Sequence, residues 1–280
     1  AQALAARGAR LALVGLEPDK LAALAAELRD RERTDPGVEH VWAEADVTDS
    51  AALRSAAAKA VATLGGLDVV VAGAGMASFG TVRTIDPEAF AKTVEVNLIG
   101  VFRTVQATLP HIIESRGYIL VVSSLAALVP TMGFSGYGAS KAGVEAFATA
   151  LRIEVAPLGV TVGCAHMSWI DTDMLRDTER DLAAFRLMRE QMPWPLRSTT
   201  PVTDCSAAFV RAIERRSRRV SVPRAIGINH WIRPLVHSRP VEKLLARTSA
   251  KVLPLLEAEI TALGRSTSER IAQIQSGWRR

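Results

Sequence analysis

The stretch "YILVVSSLAALVPTMGFSGYGASKAG", residues 118–143, decides the fold class. Its first residues, Tyr118–Ser123, form an apolar run rich in β-branched side chains, which is typical of a strand covered on both faces. A helical pattern follows over residues 136–157. A buried strand followed by a long helix is half of the repeating unit from which parallel sheets are built, so the stretch predicts an α/β protein.

The same alternation continues in both directions along the chain. Further strands are predicted at Arg10–Gly15, Val38–Ala43, Leu67–Ala72, Val160–Ala165 and Arg219–Val222. Further helices are predicted over residues 18–32, 50–64, 87–115 and 202–216. Residues from about Asp173 to Thr200, which include "MPWP", break this rhythm and predict a loop or lid. We therefore expect one α/β domain over residues 1–225, followed by a basic, helical extension over residues 226–280.

Composition narrows the function classes. Cys164 and Cys205 are the two cysteines in 280 residues, so we expect neither a disulfide framework nor a metal site, and a reducing, cytoplasmic location. The longest uncharged apolar stretch, Ile119–Val129, is about half the length of a membrane span. The basic run "ERRSRR", residues 214–219, follows a predicted helix, where positive charge is favourable, and we do not expect nucleic-acid binding.

Tyr137 and Lys141 are the candidates for acid–base chemistry. In the predicted helix they lie one turn apart on the same face. An ammonium group near a phenol favours the phenolate, so Lys141 is expected to lower the pKa of Tyr137. The alternative is a packing tyrosine and a solvated lysine. Ser124 ends a strand where open α/β sheets place their ligand sites, and Asn97 lies inside a predicted helix, an unfavourable position for a short amide.

Several motifs together resemble the short-chain dehydrogenase/reductase family. "NLIG" at 97–100, "VVSS" at 121–124 and "YGASK" at 137–141 have the order and spacing of that family, and "LDVVVAGAG" at 67–75 and "WIDTDM" at 169–174 extend the resemblance. It covers residue 1 to about residue 225. The resemblance implies a Rossmann-type doubly wound parallel sheet in a single domain. It also implies hydride transfer between a nicotinamide cofactor and a ketone or secondary alcohol.

The resemblance assigns roles to four residues. Tyr137 would exchange a proton with the substrate oxygen, and Ser124 would hold that oxygen by a hydrogen bond. Lys141 would lower the Tyr137 pKa and bind the nicotinamide ribose. Asn97 would fix a water molecule that links Lys141 to solvent.

The resemblance also implies a set of cofactor-binding residues. Asp46 and Val47 would contact the adenine, although this acidic residue also lies where a helix N-cap is expected. The others expected to contact the dinucleotide are Glu17, Ala72, Gly73, Ala74, Tyr137, Lys141, Ile170 and Thr172. Either NAD or NADP fits this pattern. Glu17, in "GLEP" after the first predicted strand, would repel a 2′-phosphate and mildly favours NAD.

The sequence departs from the family pattern in three places. It begins at Ala1 with what resembles the end of a helix, so we expect the family's first strand and Gly-rich turn to be missing. We therefore expect a gap in mid-sheet and weak dinucleotide binding by the chain as given. "AGAG", residues 72–75, replaces the family's Asn-Asn-Ala-Gly, and Met167-Ser168 replaces a Pro-Gly turn.

Several alternatives stay open at this point. The apolar "LAAFRLM", residues 182–188, favours a lipid-like, steroid-like or acyl substrate, with a 3-oxoacyl-thioester reductase as the enzymatic alternative. A non-catalytic dinucleotide-binding sensor or scaffold is the alternative from another class. The tail is expected to pack between subunits or to cover the substrate pocket, which we favour over contact with an anionic membrane. The resemblance implies a homodimer or tetramer. His166 is expected to be a hydrogen-bonded structural histidine and Cys164 a core residue.

Overall fold

The structure is a computed structural model that describes residues 1–31, 39–192, 194 and 196–277, with side chains described through Ile274. Its strands are all parallel and are β1 (Ala12–Gly15), β2 (Val41–Glu44), β3 (Val69–Ala72), β4 (Tyr118–Val122), β5 (Thr161–Met167) and β6 (Arg219–Val222). All six predicted strands are therefore present, with ends that differ by a few residues. Val38, the predicted start of β2, lies outside the described residues.

Helices connect these strands and continue after β6. They are α1 (Gln2–Ala5), α2 (Pro18–Arg31), α3 (Ser50–Leu64), α4 (Pro87–Val94), α5 (Gly100–Glu114), α6 (Ser135–Val155), α7 (Asp173–Asp181), α8 (Ala183–Glu190), α9 (Val202–Glu214), α10 (Asn229–Val236), α11 (Arg239–Leu263) and α12 (Glu269–Gly277). A π-helical segment, Glu95–Ile99, joins α4 to α5. The helix predicted over residues 87–115 is thus interrupted in its middle. No helix in the described part of the chain combines the length and apolar character that crossing a bilayer requires.

The sheet is divided, as the sequence predicts. β1 pairs with β2, with Ala12 opposite Val41, and the other four strands form a second sheet in the order β3-β4-β5-β6. Among the described residues, β1 and β3 do not pair with each other. Val14 on β1 and Val71 on β3 are 44% and 40% exposed, although valines in a doubly covered parallel sheet are normally buried. The predicted gap in mid-sheet is confirmed.

Helices cover both faces of the larger sheet. Along β4, Ile119 and Val121 pack toward α5 and α6, whereas Tyr118 and Leu120 pack toward α9. Since successive side chains of a strand point to opposite faces, this alternation places a core on each side of the sheet. The doubly wound α/β architecture expected from the sequence is confirmed.

The loop predicted between Asp173 and Thr200 is wrong for most of its length. This region contains α7 and α8, and residues 193 and 195 of "MPWP" lie outside the described residues. Leu182, Phe185 and Met188 are buried in one cluster with Val252 and Leu256 of α11. The apolar face of α8 therefore depends on a partner that lies about 70 residues away in sequence, which local patterns do not reveal.

Gly163 in β5 gives a test of this core. A Cβ atom there would overlap the Tyr118 hydroxyl and the Ser217 carbonyl oxygen, which are themselves hydrogen-bonded at 2.8 Å. We expect Gly163→Ala to lower the free energy of unfolding by about 2–4 kcal/mol, measured by urea denaturation. Gly138→Ala is the control, because its Cβ would meet the Ala126 carbonyl at an ordinary 3.6 Å within a helix. Equal midpoints for Gly163→Ala and the unmodified protein would contradict the packing described here.

Candidate active site

The end of β4 and the first turns of α6 bring Ser124 and Tyr137 together. Ser124 directly follows β4 and ends a buried strand, as expected. Its hydroxyl accepts a hydrogen bond from the Ala126 amide at 3.2 Å and also forms a hydrogen bond with the Tyr137 phenol. The chain turn after the strand thus orients Ser124 toward the tyrosine. This is the contact that a shared substrate oxygen requires of the two groups.

Lys141 lies buried behind the tyrosine. Its ammonium nitrogen Nζ is 5.6 Å from the centre of the Tyr137 ring and donates a hydrogen bond of 3.0 Å to the Val122 carbonyl oxygen. Only 4% of the Lys141 residue surface is exposed. The Ser123 hydroxyl donates to the Lys141 carbonyl oxygen at 2.8 Å and fixes α6 against the end of β4.

Burial shifts both titratable groups away from their charged forms. It lowers the pKa of Lys141 to about 8. Burial also raises the pKa of Tyr137, and the hydrogen bond from Ser124 opposes that shift. The lowered Tyr137 pKa expected from the sequence is therefore wrong in direction for this structure. Loss of solvent penalises the phenolate more than the nearby groups stabilise it.

Asn97 occupies the centre of the π-helical segment, which accounts for an amide inside a helical pattern. Its Oδ1 accepts from the Met76 amide at 2.8 Å, and its Nδ2 donates to the Met76 carbonyl at 2.9 Å and to the Ser140 hydroxyl at 3.0 Å. π-Helical turns are frequent at functional sites. A Cβ on Gly75 would lie 3.3 Å from Asn97 Oδ1 and 3.4 Å from Lys141 Nζ. The four predicted catalytic residues therefore lie in one place.

A cavity of about 550 Å³ lies at the carboxyl ends of β1, β2 and β3. Among the predicted cofactor residues, those that line it are Glu17, Asp46, Val47, Gly73 and Ala74. Ala72, Tyr137, Lys141, Ile170 and Thr172 are not among its lining residues. Asp49 caps α3 by accepting from the Ala51 amide at 2.7 Å, so Asp46 is not the N-cap.

The cavity fits the adenosine half of a dinucleotide. Its volume is within the usual range for small-molecule sites, about 300–1,000 Å³. Gly73, Ala74 and Gly75 give it a wall of small residues that allows a ligand to approach the backbone. It also lies at the carboxyl edge of the parallel strands, where open α/β sheets bind their ligands. Lys141 lies 3.4 Å from the Cβ position of Gly75, at the end of this cavity nearest to Tyr137.

Part of the cavity wall was not predicted from the sequence. The unpredicted lining residues of α7 and the tail are Met174, Asp177, Thr178, Ser268, Arg270, Ile271 and Ile274. Arg270 of α12 pairs with Glu17 at 2.9 Å and with Asp173 at 2.6 Å. Glu17 also accepts from Lys20 at 2.6 Å, and the pKa of its carboxyl is lowered, first by Lys20 and then by Arg270. The sequence signal for this wall is only a basic, amphipathic tail.

The side of Tyr137 nearer the tail is apolar and aromatic. Tyr137 packs against a cluster that includes Phe134, Trp169 and Phe185, in which the Phe134–Phe185 and Trp169–Phe185 ring centres are each 5.3 Å apart. Val252, Leu256 and Ile260 of α11 bury their side chains in the same cluster. The tail therefore packs over this region.

His166 lies in a separate buried cluster. Its Nε2 is 3.5 Å from a carboxylate oxygen of Glu145, and His230 Nδ1 lies 3.8 Å from the same oxygen. Arg233 pairs with the other Glu145 oxygen at 3.1 Å. Burial lowers the pKa of His230 to about 4. These groups link α6, β5 and α10, which agrees with the structural role expected for His166. Cys164 is buried in the core, as expected.

Comparisons with known proteins agree with this arrangement. The sequence model of a family described as short chain dehydrogenase matches residues 1–183. An archaeal alcohol dehydrogenase from Thermococcus sibiricus, solved with 5-hydroxy-NADP, is 25% identical, with a TM-score of 0.65 and coverage of 79% of this chain and 86% of that one. A short chain dehydrogenase from Burkholderia cenocepacia J2315, solved with NADP, is 28% identical, with a TM-score of 0.67 and coverage of 78% and 87%.

Curated relatives have similar identities. An uncharacterized NAD-dependent oxidoreductase of Mycobacterium tuberculosis is 39% identical over 134 residues, which are 47% of this chain and 49% of the relative. The match thus spans about half the length of that relative. Trans-4-hydroxycyclohexanecarboxylate dehydrogenase of Sinomonas cyclohexanicum is 30% identical over 191 residues, 68% of this chain and 74% of the relative. With this match across most of the α/β body, the chain belongs to the short-chain dehydrogenase/reductase family.

Proposed function

We propose that this protein is an NAD(P)-dependent oxidoreductase that interconverts secondary alcohols and ketones. The hydrogen bond between Ser124 and Tyr137, with the buried Lys141 behind the ring, is the observation that carries the proposal. The named activities of the relatives, among them a hydroxycyclohexanecarboxylate dehydrogenase and a hydroxysteroid dehydrogenase, support the same reaction class. The bound dinucleotide would supply or accept the hydride.

The residues of this chain would handle the proton and the position of the substrate. Ser124 donates a hydrogen bond to the substrate oxygen and holds it beside the Tyr137 hydroxyl. Tyr137 donates its proton to that oxygen in ketone reduction and accepts a proton from the alcohol in oxidation. Lys141 stabilises the negative charge that develops on the Tyr137 oxygen. Asn97 keeps the loop after β3 against α6, and a water beside Gly75 would link Lys141 to solvent.

The raised pKa of Tyr137 favours a protonated phenol in the empty site. That form is ready to donate in ketone reduction, whereas alcohol oxidation requires the phenolate. We therefore propose that oxidation rises with pH relative to reduction. Lys141, with a pKa of about 8, keeps its positive charge at neutral pH and supports the phenolate when it forms.

We propose an apolar substrate of lipid-like, steroid-like or alicyclic type. Phe134, Trp169 and Phe185 beside Tyr137 support this choice, since aromatic and apolar walls bind ligands mainly by removing apolar surface from water. We also propose a homo-oligomer that pairs through α5 and α6. Phe102 on α5 and Ile153 on α6 are 44% and 73% exposed, and their apolar surface supports packing against a second copy.

Turnover by the full-length protein tests the proposed function. The protein would be mixed with NAD⁺ or NADP⁺ and a panel of secondary alcohols, and with NADH or NADPH and ketones that include 3-oxoacyl thioesters. We expect nicotinamide absorbance to change with at least one alicyclic or steroid substrate. Calorimetric binding of a dinucleotide without turnover of any compound would instead support the sensor or scaffold alternative. Absence of dinucleotide binding would overturn the proposal.

A further inference from the structure

The charge of the dinucleotide cavity is unusual for a site that receives phosphate groups. Among the described residues that line it, Glu17, Asp46 and Asp177 are acidic, and Arg270 is the single cation. A dinucleotide carries at least two negative charges on its pyrophosphate. Arg270 therefore matters more to the potential in this cavity than its position in the tail suggests.

The segment before α12 is firmly attached beside the cavity. Ser266, Thr267 and Ser268 are buried, and the Ser266 carbonyl accepts from the Phe79 amide at 2.8 Å. The Ser266 hydroxyl accepts from the Asp86 amide at 3.0 Å. These bonds tie the tail to the chain that follows β3, the strand that ends at the cavity. The start of α12 is thus positioned by buried backbone and hydroxyl contacts.

From that attachment α12 extends toward the end of β1. Arg270 Nη2 lies 3.1 Å and 2.9 Å from the two carboxylate oxygens of Glu17, and Nη1 lies 2.6 Å from Asp173. One guanidinium thus joins the loop after β1 to the first residue of α7. Because Glu17 is held by Arg270 and by Lys20, its charge is compensated, and the repulsion of a 2′-phosphate expected from Glu17 alone is weakened.

We propose that α12 forms a wall of the dinucleotide site and that Arg270, through its pair with Glu17, determines the choice between NAD and NADP. This inference rests on the proposed function, since it concerns the same cofactor. In the pair, Glu17 is the group that accepts hydrogen bonds from the ribose hydroxyls of NAD. Arg270 is the group that binds the 2′-phosphate of NADP, for which a guanidinium has matching geometry.

Calorimetric dissociation constants for NAD⁺ and NADP⁺ test the proposal without use of turnover. We expect Arg270→Gln to weaken NADP⁺ binding about tenfold or more, because Glu17 then faces the 2′-phosphate alone, and to change NAD⁺ binding less than about threefold. We expect Glu17→Gln to strengthen NADP⁺ binding about tenfold. In Glu17→Gln/Arg270→Gln that gain should disappear. Melting temperatures verify that each variant is folded.

Arg176→Gln is the matched control. Arg176 shares Asp173 with Arg270, pairing with it at 2.8 Å, but it does not line the cavity. Its loss should leave both dissociation constants unchanged. The proposal is overturned if Arg270→Gln changes neither constant, or changes both equally. It is also overturned if Arg270→Gln tightens both, since α12 would then obstruct the site. If the unmodified protein binds neither nucleotide, the proposed function itself fails.

Discussion

Replacing Tyr137 with phenylalanine is expected to lower kcat for ketone reduction and alcohol oxidation by about 10³-fold. The substitution removes only the hydroxyl that hydrogen-bonds Ser124 and exchanges the proton, and the ring keeps its packing against Phe134 and Trp169. Tyr137 is not among the lining residues of the cavity beyond β1, β2 and β3. Dinucleotide affinity, measured by calorimetry, should therefore change by less than about threefold.

Tyr118 supplies a matched control, because it is the other tyrosine of the chain and is also buried. Its hydroxyl donates to the Ser217 carbonyl oxygen at 2.8 Å, on the face of the sheet that packs against α9. Tyr118→Phe should lower the free energy of unfolding by about 1–2 kcal/mol and leave kcat within about twofold. A Tyr137→Phe variant that retains more than a tenth of the original kcat would exclude Tyr137 as the acid, and the proposed mechanism with it.

The features that the sequence predicts well depend on neighbours along the chain. β4 was predicted because Tyr118–Val122 is a continuous apolar run, and all five of its residues are buried. Asn97 was singled out because a short amide is unfavourable inside a helix, and the helix is π-helical there. Tyr137 and Lys141 share a face because a helical turn separates them. Local geometry is sufficient for each of these features.

The features that the sequence misses depend on distant contacts. α8 is stable as a helix because Phe185 and Met188 pack against α11, and Arg270 reaches Glu17 from about 250 residues away. The pKa of Tyr137 was also predicted in the wrong direction. The spacing to Lys141 indicates an attractive charge, but the loss of solvent around both groups is a property of the folded core. Patterns along the chain contain neither kind of information.

That burial leads to the second large effect, in Lys141→Met. Without an ammonium to stabilise the developing phenolate, kcat should fall by about 10²-fold or more. The same change should stabilise the fold at pH 7. Burial lowers the Lys141 pKa from 10.5 to about 8, which corresponds to a cost of about 3 kcal/mol for keeping this cation in the core. Methionine loses the hydrogen bond to Val122, so the expected net gain in the free energy of unfolding is about 2 kcal/mol.

The pH dependence of that gain identifies its cause. Between about pH 8 and pH 10.5 the unfolded chain binds a proton at Lys141 that the folded chain has released, so folding of the unmodified protein becomes more favourable as pH rises. The advantage of Lys141→Met should be complete below pH 8 and should disappear toward pH 10.5, as measured by urea denaturation. Lys243→Met, an exposed position in α11, should show no such trend. If Lys141→Met is less stable than the unmodified protein at pH 7, the buried ammonium stabilises the fold. The site is then not one where the fold is less stable because of the catalytic cation.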